Sequence, residues 1–330
     1  MTIHVKPLLF KPHRLNGMSD KLLISHYENN YGGALRRLNA IQAKLTSFDW
    51  PSAPVFEING MKREELIASG SVILHEVYFD ALGGEGGDPP TGLGLAEALE
   101  RDFGSLRAWH AEFTAIAKAQ AGGSGWTLLS WSPRLGRLVN QWAADHAHGL
   151  AGGTPILALD MYEHSYHMDF GSRAAAYVDA VMANLEWQRI AARYRQACGG
   201  EAQDASLFTA FGAPTQQAAV ISPEELRDTM QRQPPLLLDI CLREDIPRRI
   251  DMIPGATLHD PDAIDRWAER LPRDRPIAVY CKFGFQVSGC AVAELRRRGF
   301  DARSLTGGIA AWHAIGGATV PLDTSTYGAT

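Results

Sequence analysis

Pro155-Ile156-Leu157-Ala158-Leu159-Asp160-Met161-Tyr162-Glu163-His164 begins as an apolar run and closes on a carboxylate and an imidazole four residues apart. The run reads as a buried strand. A strand end is a rigid base, from which Asp160 and His164 can give two ligands to one metal ion. Far upstream, His26 and His75 each lie in a helical pattern and can complete the set. Three nitrogens, one oxygen and an open position suit a redox-active Fe or Mn ion better than a closed zinc site. Taken singly, each residue has a plainer reading: a core or surface histidine, or an aspartate capping a helix. Only the joint arrangement points to a metal.

Working outward, residues 17–48 carry apolar side chains at near-helical spacing (Leu22, Leu23, Leu35, Leu38, Ile41), with Ser19-Asp20 able to cap the start. Residues 61–82 form a second helical pattern, and Pro51 to Pro54 supplies the turn of an antiparallel hairpin. Gly83-Gly84-Glu85-Gly86-Gly87-Asp88-Pro89-Pro90 is a loop. Residues 94–120 are helical, and strands are expected at 126–131, 137–142 and 155–159, with a hairpin at Pro133 to Gly136. A single helix is expected over 174–194. Helices followed by a small antiparallel three-stranded sheet make an α+β unit.

The polar stretch 197–217, with Gly199-Gly200 and Pro214, reads as a linker. Beyond it, strands at 236–240 and 276–281 alternate with helices near 222–232 and 287–298, the pattern of a parallel α/β sheet. The chain is thus multidomain: 1–196 (helical hairpin 1–90, α/β part 91–196), then the linker, then 218–330.

Length and composition agree. The 330 residues suit two domains, and 45% hydrophobic content allows two cores. A net charge of −5 gives no basic field to draw in nucleic acid. Met1 to Pro12 lacks the apolar centre of a signal peptide, and no run approaches a membrane span. Cys198, Cys241, Cys281 and Cys290 show no CxxC pair, which fits a reducing compartment; the expected location is cytoplasmic.

The first half resembles the iron/manganese superoxide dismutases. The likeness is carried by Ser25-His26-Tyr27, His75, Gly123 to Leu129, Asp160 to Tyr166 and Asn184-Leu185-Glu186-Trp187. The resemblance implies His26, His75, Asp160 and His164 as ligands of one Fe or Mn ion per subunit, with superoxide as substrate. It also implies an outer ring containing Tyr27, Trp126 and Tyr162. Departures are concentrated there. Asn30 stands where the family has a histidine, Ala34 where it has a gateway tyrosine, and Phe79 where it has a tryptophan. Tyr31 can swing into the space left at Ala34. With Ser71 at one of the family's glutamine positions and His146 at the other, His146 is implied as the catalytic partner of the bound solvent. Glu163 resembles the glutamate that reaches across a homodimer to the partner subunit's His164.

Residues 219–318 resemble a rhodanese-like domain, through Leu237 to Ile240, Ile253-Pro254-Gly255-Ala256, Val279 to Gly284 and Thr306-Gly307-Gly308-Ile309-Ala310-Ala311-Trp312. This implies Cys281 as a nucleophile that carries sulfane sulfur from a donor. Lys282, Phe283, Gly284, Phe285, Gln286 and Val287 form its loop. An arginine common late in this loop is absent, and so is the arginine of an Asp-x-Arg motif, read here as Asp239-Ile240-Cys241. Cys241 and Cys290 are expected to be small buried hydrophobes. The expectation is a dismutase fused to a possible sulfurtransferase. The alternative is a weak or non-dismutase metal site beside a non-catalytic sensor or docking module.

Overall fold

The computed structural model describes residues 2–199, 219–325 and 327. The chain divides into two compact units, Met1–Ile3 with Leu8–Asp204, and His4–Pro7 with Ala205–Thr330. The short segment His4–Pro7 groups with the second unit. Most of the expected linker, from residue 200, lies outside the described residues.

In the first unit, α1 (Asp20–Ser25) starts where Ser19 Oγ accepts from Leu22 N at 3.1 Å. The expected long helix is present but not α-helical throughout. It passes through a π-helical turn, His26–Tyr31, before resuming as α2 (Gly32–Thr46). The hairpin partner α3 (Val55–Asp80) starts six residues before the expected 61, directly after Pro54. Its first turn was hidden because Val55 and Phe56 are exposed and break the apolar stripe. The helices α4 (Leu95–Phe103) and α5 (Leu106–Ala119) follow.

The sheet has order β2-β1-β3, all antiparallel, with β1 (Trp126–Ser132), β2 (Arg137–Ala143) and β3 (Thr154–Asp160). Central β1 is buried almost throughout, which explains its apolar run, and β2 at the edge is partly exposed. The β1–β3 register slips between Leu129 and Ser130, opposite Pro155, which has no N–H to give the ladder. After β3 come a 3-10 turn (Glu163–Ser165), α6 (His167–Phe170), α7 (Ala174–Met182) and α8 (Trp187–Ala197).

The single helix expected over 174–194 is thus two helices, and tertiary hydrogen bonds explain the break. Asn184 Oδ1 accepts from Asn16 N, its Nδ2 donates to Asn16 O, both at 2.8 Å, and its carbonyl accepts from Gly83 N and Gly84 N. Gly84 is required there, since a Cβ would lie 2.2 Å from the Leu185 carbonyl oxygen.

The second unit holds β4 (Val220–Ile221), α9 (Pro223–Arg232), β5 (Leu236–Ile240), β6 (Asp251–Met252), β7 (Ala256–His259), α10 (Ile264–Trp267), β8 (Ile277–Tyr280), α11 (Gln286–Arg297), β9 (Ala302–Leu305), α12 (Gly308–Ala314) and β10 (Val320–Pro321). A parallel sheet runs in the order β4-β9-β8-β5-β7, and β6 pairs with β10 apart from it. β4, β6, β7, β9 and β10, of two to four residues each, carry neither a readable period nor an apolar run as long as that of β8. Leu238, Ile240 and Val279 pack against Ala291, Val292 and Leu295 of α11 and Trp267 of α10. The carboxyl ends of parallel strands are where such folds place their sites, and Cys281 follows β8 directly. No helix among the described residues is long and apolar enough to cross a membrane.

Candidate metal centre and cysteine loop

Four side chains from four elements meet inside the first unit. His26 opens the π turn, His75 lies in α3, Asp160 ends β3, and His164 sits in the 3-10 turn that follows. One ligand atom from each lies within 4.8 Å of all the others. His26, His75 and Asp160 are buried, and His164 keeps 27% of its side chain exposed.

The carboxylate is the hub. Asp160 Oδ1 accepts from Tyr162 N at 2.9 Å, an Asx-type turn that fixes the side chain. That leaves Oδ2 facing three imidazoles, with Nε2 of His26, His164 and His75 at 3.1, 3.2 and 3.5 Å. The Ser165 hydroxyl holds the turn by donating to the carbonyls of Asp160 and Tyr162.

Electrostatics make this arrangement one that calls for a cation. Burial pushes His75 down to about 3 and lowers His26 as well, so both rings stay neutral near pH 7. Burial works against the Asp160 anion, yet bonds from His164 and His26 hold it well below the usual carboxylate range. His75 Nδ1 donates to the Ser71 carbonyl at 2.7 Å, which leaves the lone pair on Nε2. That Nε2 has no hydrogen-bond partner. A buried lone pair aimed at a carboxylate is unfavourable until a positive ion lies between them. The donor set therefore fits a hard-to-borderline ion of the Fe or Mn kind.

Around the cluster, Trp126 Nε1 donates to His146 Nδ1 at 2.9 Å, so His146 carries its proton on Nε2. Burial also lowers the His146 pKa, keeping the ring neutral. Its ring stacks on Tyr162 at 4.7 Å and 11°, and Tyr162 in turn lies 5.4 Å from His164. Burial first, with Asp160 nearby, pushes the Tyr162 phenol up to about 12. Tyr27 is buried against Phe79 at 5.6 Å. Asn30 and Ala34 are half-buried and Glu163 is exposed.

Tyr31 is buried, its ring 6.4 Å from that of His75 and 6.3 Å from that of Phe79, and its hydroxyl donates to Glu76 Oε1 at 3.1 Å. Glu76 carried no signal in the sequence, since an acidic residue beside a histidine on a helix is ordinary. Gly70 was also missed: a Cβ there would lie 1.9 Å from the His146 carbonyl oxygen. Tyr177, whose hydroxyl donates to that of Tyr78 at 3.2 Å beneath His26, had no local pattern to reveal it.

In the second unit, Cys281 is buried, with Sγ 3.3 Å from Ser288 Oγ, which Ser304 Oγ approaches at 3.2 Å. Gly284 (φ +72°) and Gly308 (φ +59°) let the loop fold onto the start of α12, where the Cys281 and Lys282 carbonyls accept from Ile309 N and Ala310 N. A Cβ on Gly308 would lie 2.2 Å from the Cys281 oxygen. The Lys282 ammonium sits 5.3 Å above the Phe283 ring, Phe283 and Phe285 are 6.3 Å apart, Gln286 is exposed and Val287 packs toward the core.

One sequence reading, that of Cys290, is overturned here. The arginine absent from position 241 is supplied by Arg249, which grips buried Asp239 with bonds of 3.1 and 2.6 Å. Cys241 is buried as expected, its thiol pushed up to about 11 by burial, but Cys290 is exposed on α11 because its position faces away from the sheet.

Known proteins resemble both units. The family described as iron/manganese superoxide dismutases, C-terminal domain, matches residues 90–193, and the rhodanese-like domain family matches residues 222–315. An Fe superoxide dismutase of Cupriavidus metallidurans is 64% identical over 197 residues, covering 60% of this chain and 98% of that protein. An Mn superoxide dismutase of Haloferax volcanii is 34% identical over 200 residues, covering 60% and 98%. One from Halobacterium salinarum is 40% identical over 188 residues, covering 57% and 90%.

Proposed function

Because the chain belongs to the iron/manganese superoxide dismutase family and carries a rhodanese-like domain behind it, we propose that it disproportionates superoxide to dioxygen and hydrogen peroxide at the His26–His75–Asp160–His164 cluster. The observation that carries this reading is the unpartnered Nε2 of His75 converging with two other imidazoles on one Asp160 oxygen. These four side chains would hold one Fe or Mn ion per subunit. When bound, the ion supplies a one-electron couple, taking an electron from one superoxide and giving it to the next.

The protein's own groups do the rest. Asp160 lowers the charge of the site, and the neutral imidazoles bind without adding to it. His146, with its proton on Nε2, is a donor toward the site, held by Trp126 and stacked on Tyr162. Glu163 is exposed, and by the family likeness it would reach the partner subunit's His164 in a homodimer. Free cysteines throughout support a cytoplasmic location.

In the second unit, Cys281 carries sulfane sulfur. Its thiolate attacks the outer sulfur of a donor R–S–SH; the S–S bond breaks, R–S⁻ leaves with the electron pair, and Cys281–S–SH forms. The Ser288 hydroxyl, 3.3 Å from Sγ, is the hydrogen-bond partner of the Cys281 sulfur.

Dismutation is to be measured after loading with Fe and with Mn separately, alongside Asp160→Ala. Activity with at least one metal, lost together with bound metal in the variant, is the expected result; a wild-type protein that retains neither ion sinks the reading. For Cys281, cyanide-releasable sulfur should appear after donor treatment and vanish in Cys281→Ala. No persulfide with any donor favours the docking module.

A further inference from the structure

We propose that Tyr31 and Glu76 form a clasp that sets the separation of His26 and His75 and slows release of the bound ion, with Tyr31 as a positioning residue. The inference rests on the metal-binding reading above. It starts from the π turn. Five residues along a regular α-helix turn a side chain to about 140° away from the first, because 3.6 residues make one turn. In the π turn, with its i to i+5 bonding, the same five residues span roughly one turn. Tyr31, the last residue of His26–Tyr31, is thereby brought round toward the side of His26. Its buried ring lies 5.4 Å from Tyr27 and 6.4 Å from His75.

The hydroxyl then ties the two helical segments together. It donates to Glu76 Oε1 at 3.1 Å, and Glu76 directly follows His75 in α3. One side of the clasp is five residues from one imidazole, and the other is one residue from the other. Between these two imidazoles the ring centroids are 5.1 Å apart. A partly buried hydrogen bond at that place resists the spreading of α3 from the π turn through which an ion would escape. Loss of outer partners of metal ligands generally costs ten- to a hundredfold in metal affinity.

The test uses the metal-loaded full chain and a chelator in excess, following the rate at which Fe or Mn leaves the protein. Tyr31→Phe keeps the ring and removes only the hydroxyl; release should speed by about tenfold. Glu76→Gln keeps an acceptor oxygen and should release at the wild-type rate, whereas Glu76→Leu should match Tyr31→Phe. The double variant Tyr31→Phe/Glu76→Leu should be no faster than either single one, since one bond is broken in all three. Thermal unfolding of the metal-free proteins should barely separate Tyr31→Phe from wild type. The proposal is overturned if Tyr31→Phe releases at the wild-type rate, if Glu76→Gln leaks as fast as Glu76→Leu, or if the two changes simply add. A wild-type chain that takes up no ion defeats the metal-binding reading itself, a result distinct from any of these.

Discussion

Gly70 of α3 lies against the backbone of His146 so closely that a Cβ would stand 1.9 Å from the carbonyl oxygen and 2.9 Å from the carbonyl carbon. The contact places His146 beside the helix turn that precedes His75. It explains a glycine inside a helix, where alanine would otherwise be favoured by about 1 kcal/mol. Gly70→Ala should therefore destabilise by roughly 1–3 kcal/mol, the cost of overpacking a tight contact. It should also lower dismutation while bound metal stays near wild type, because His146 is displaced and the ligand cluster is not. Melting temperature, metal content and rate, measured on one preparation, check this. A Gly70→Ala protein more stable than wild type would contradict the contact.

The Arg249–Asp239 pair bears on the second unit. Both groups are buried, and the guanidinium binds the carboxylate through both nitrogens. Arg249→Met leaves the carboxylate buried without its partner, a loss of about 3–5 kcal/mol. Arg249→Met/Asp239→Asn should recover much of it, since the stranded charge is gone. Urea unfolding of the second unit, compared across the three proteins, reads the difference.

His259 sets a pH dependence. Burial pushes its imidazole from 6.5 down to about 4, so the folded unit keeps it neutral while the unfolded chain takes up a proton below pH 6.5. Between those values the unfolded state binds one proton more, so stability falls with falling pH at up to about 1.4 kcal/mol per unit. The contribution is complete above pH 6.5 and lost as pH approaches 4. Hydrogen-exchange protection of β5 and β7 amides should follow that slope, and His259→Gln should flatten it.

The cysteine loop predicts a donor preference. Lys282 is its one cation, and that ammonium is stacked over Phe283 beside a second ring, Phe285. A thiosulfate dianion finds little charge there, while the rings suit an apolar organic persulfide. Loading of Cys281 should be about tenfold faster from benzyl persulfide than from thiosulfate, a difference of about 1.4 kcal/mol. Gln286→Arg, which adds a cation at the start of α11, should narrow the gap. Equal rates in the wild-type protein would count against it.

How much of this was readable beforehand follows from the range of the interactions. The strand before Asp160, the helices around His26 and His75, and the Gly-Gly-x-x-x-Trp turn at 307–312 are written in residues near one another, so their periods and turn chemistry show directly. The π turn carries no such mark. Neither does the break at 183–186, which exists because Asn184 bonds to Asn16. Cys290 was misjudged because a helix position alone does not say which face meets the sheet.

The amino-acid order by itself determined two units and their classes through local periodicity, and the candidate metal and sulfur chemistry through motifs that resemble known families. Only the folded chain decided that Tyr31 meets Glu76, that Arg249 replaces the arginine missing beside Asp239, and that Trp126 fixes the proton of His146. Such partners lie 10 to 45 residues apart. Their pairing is selected by how whole elements pack, and no local preference of either residue encodes it.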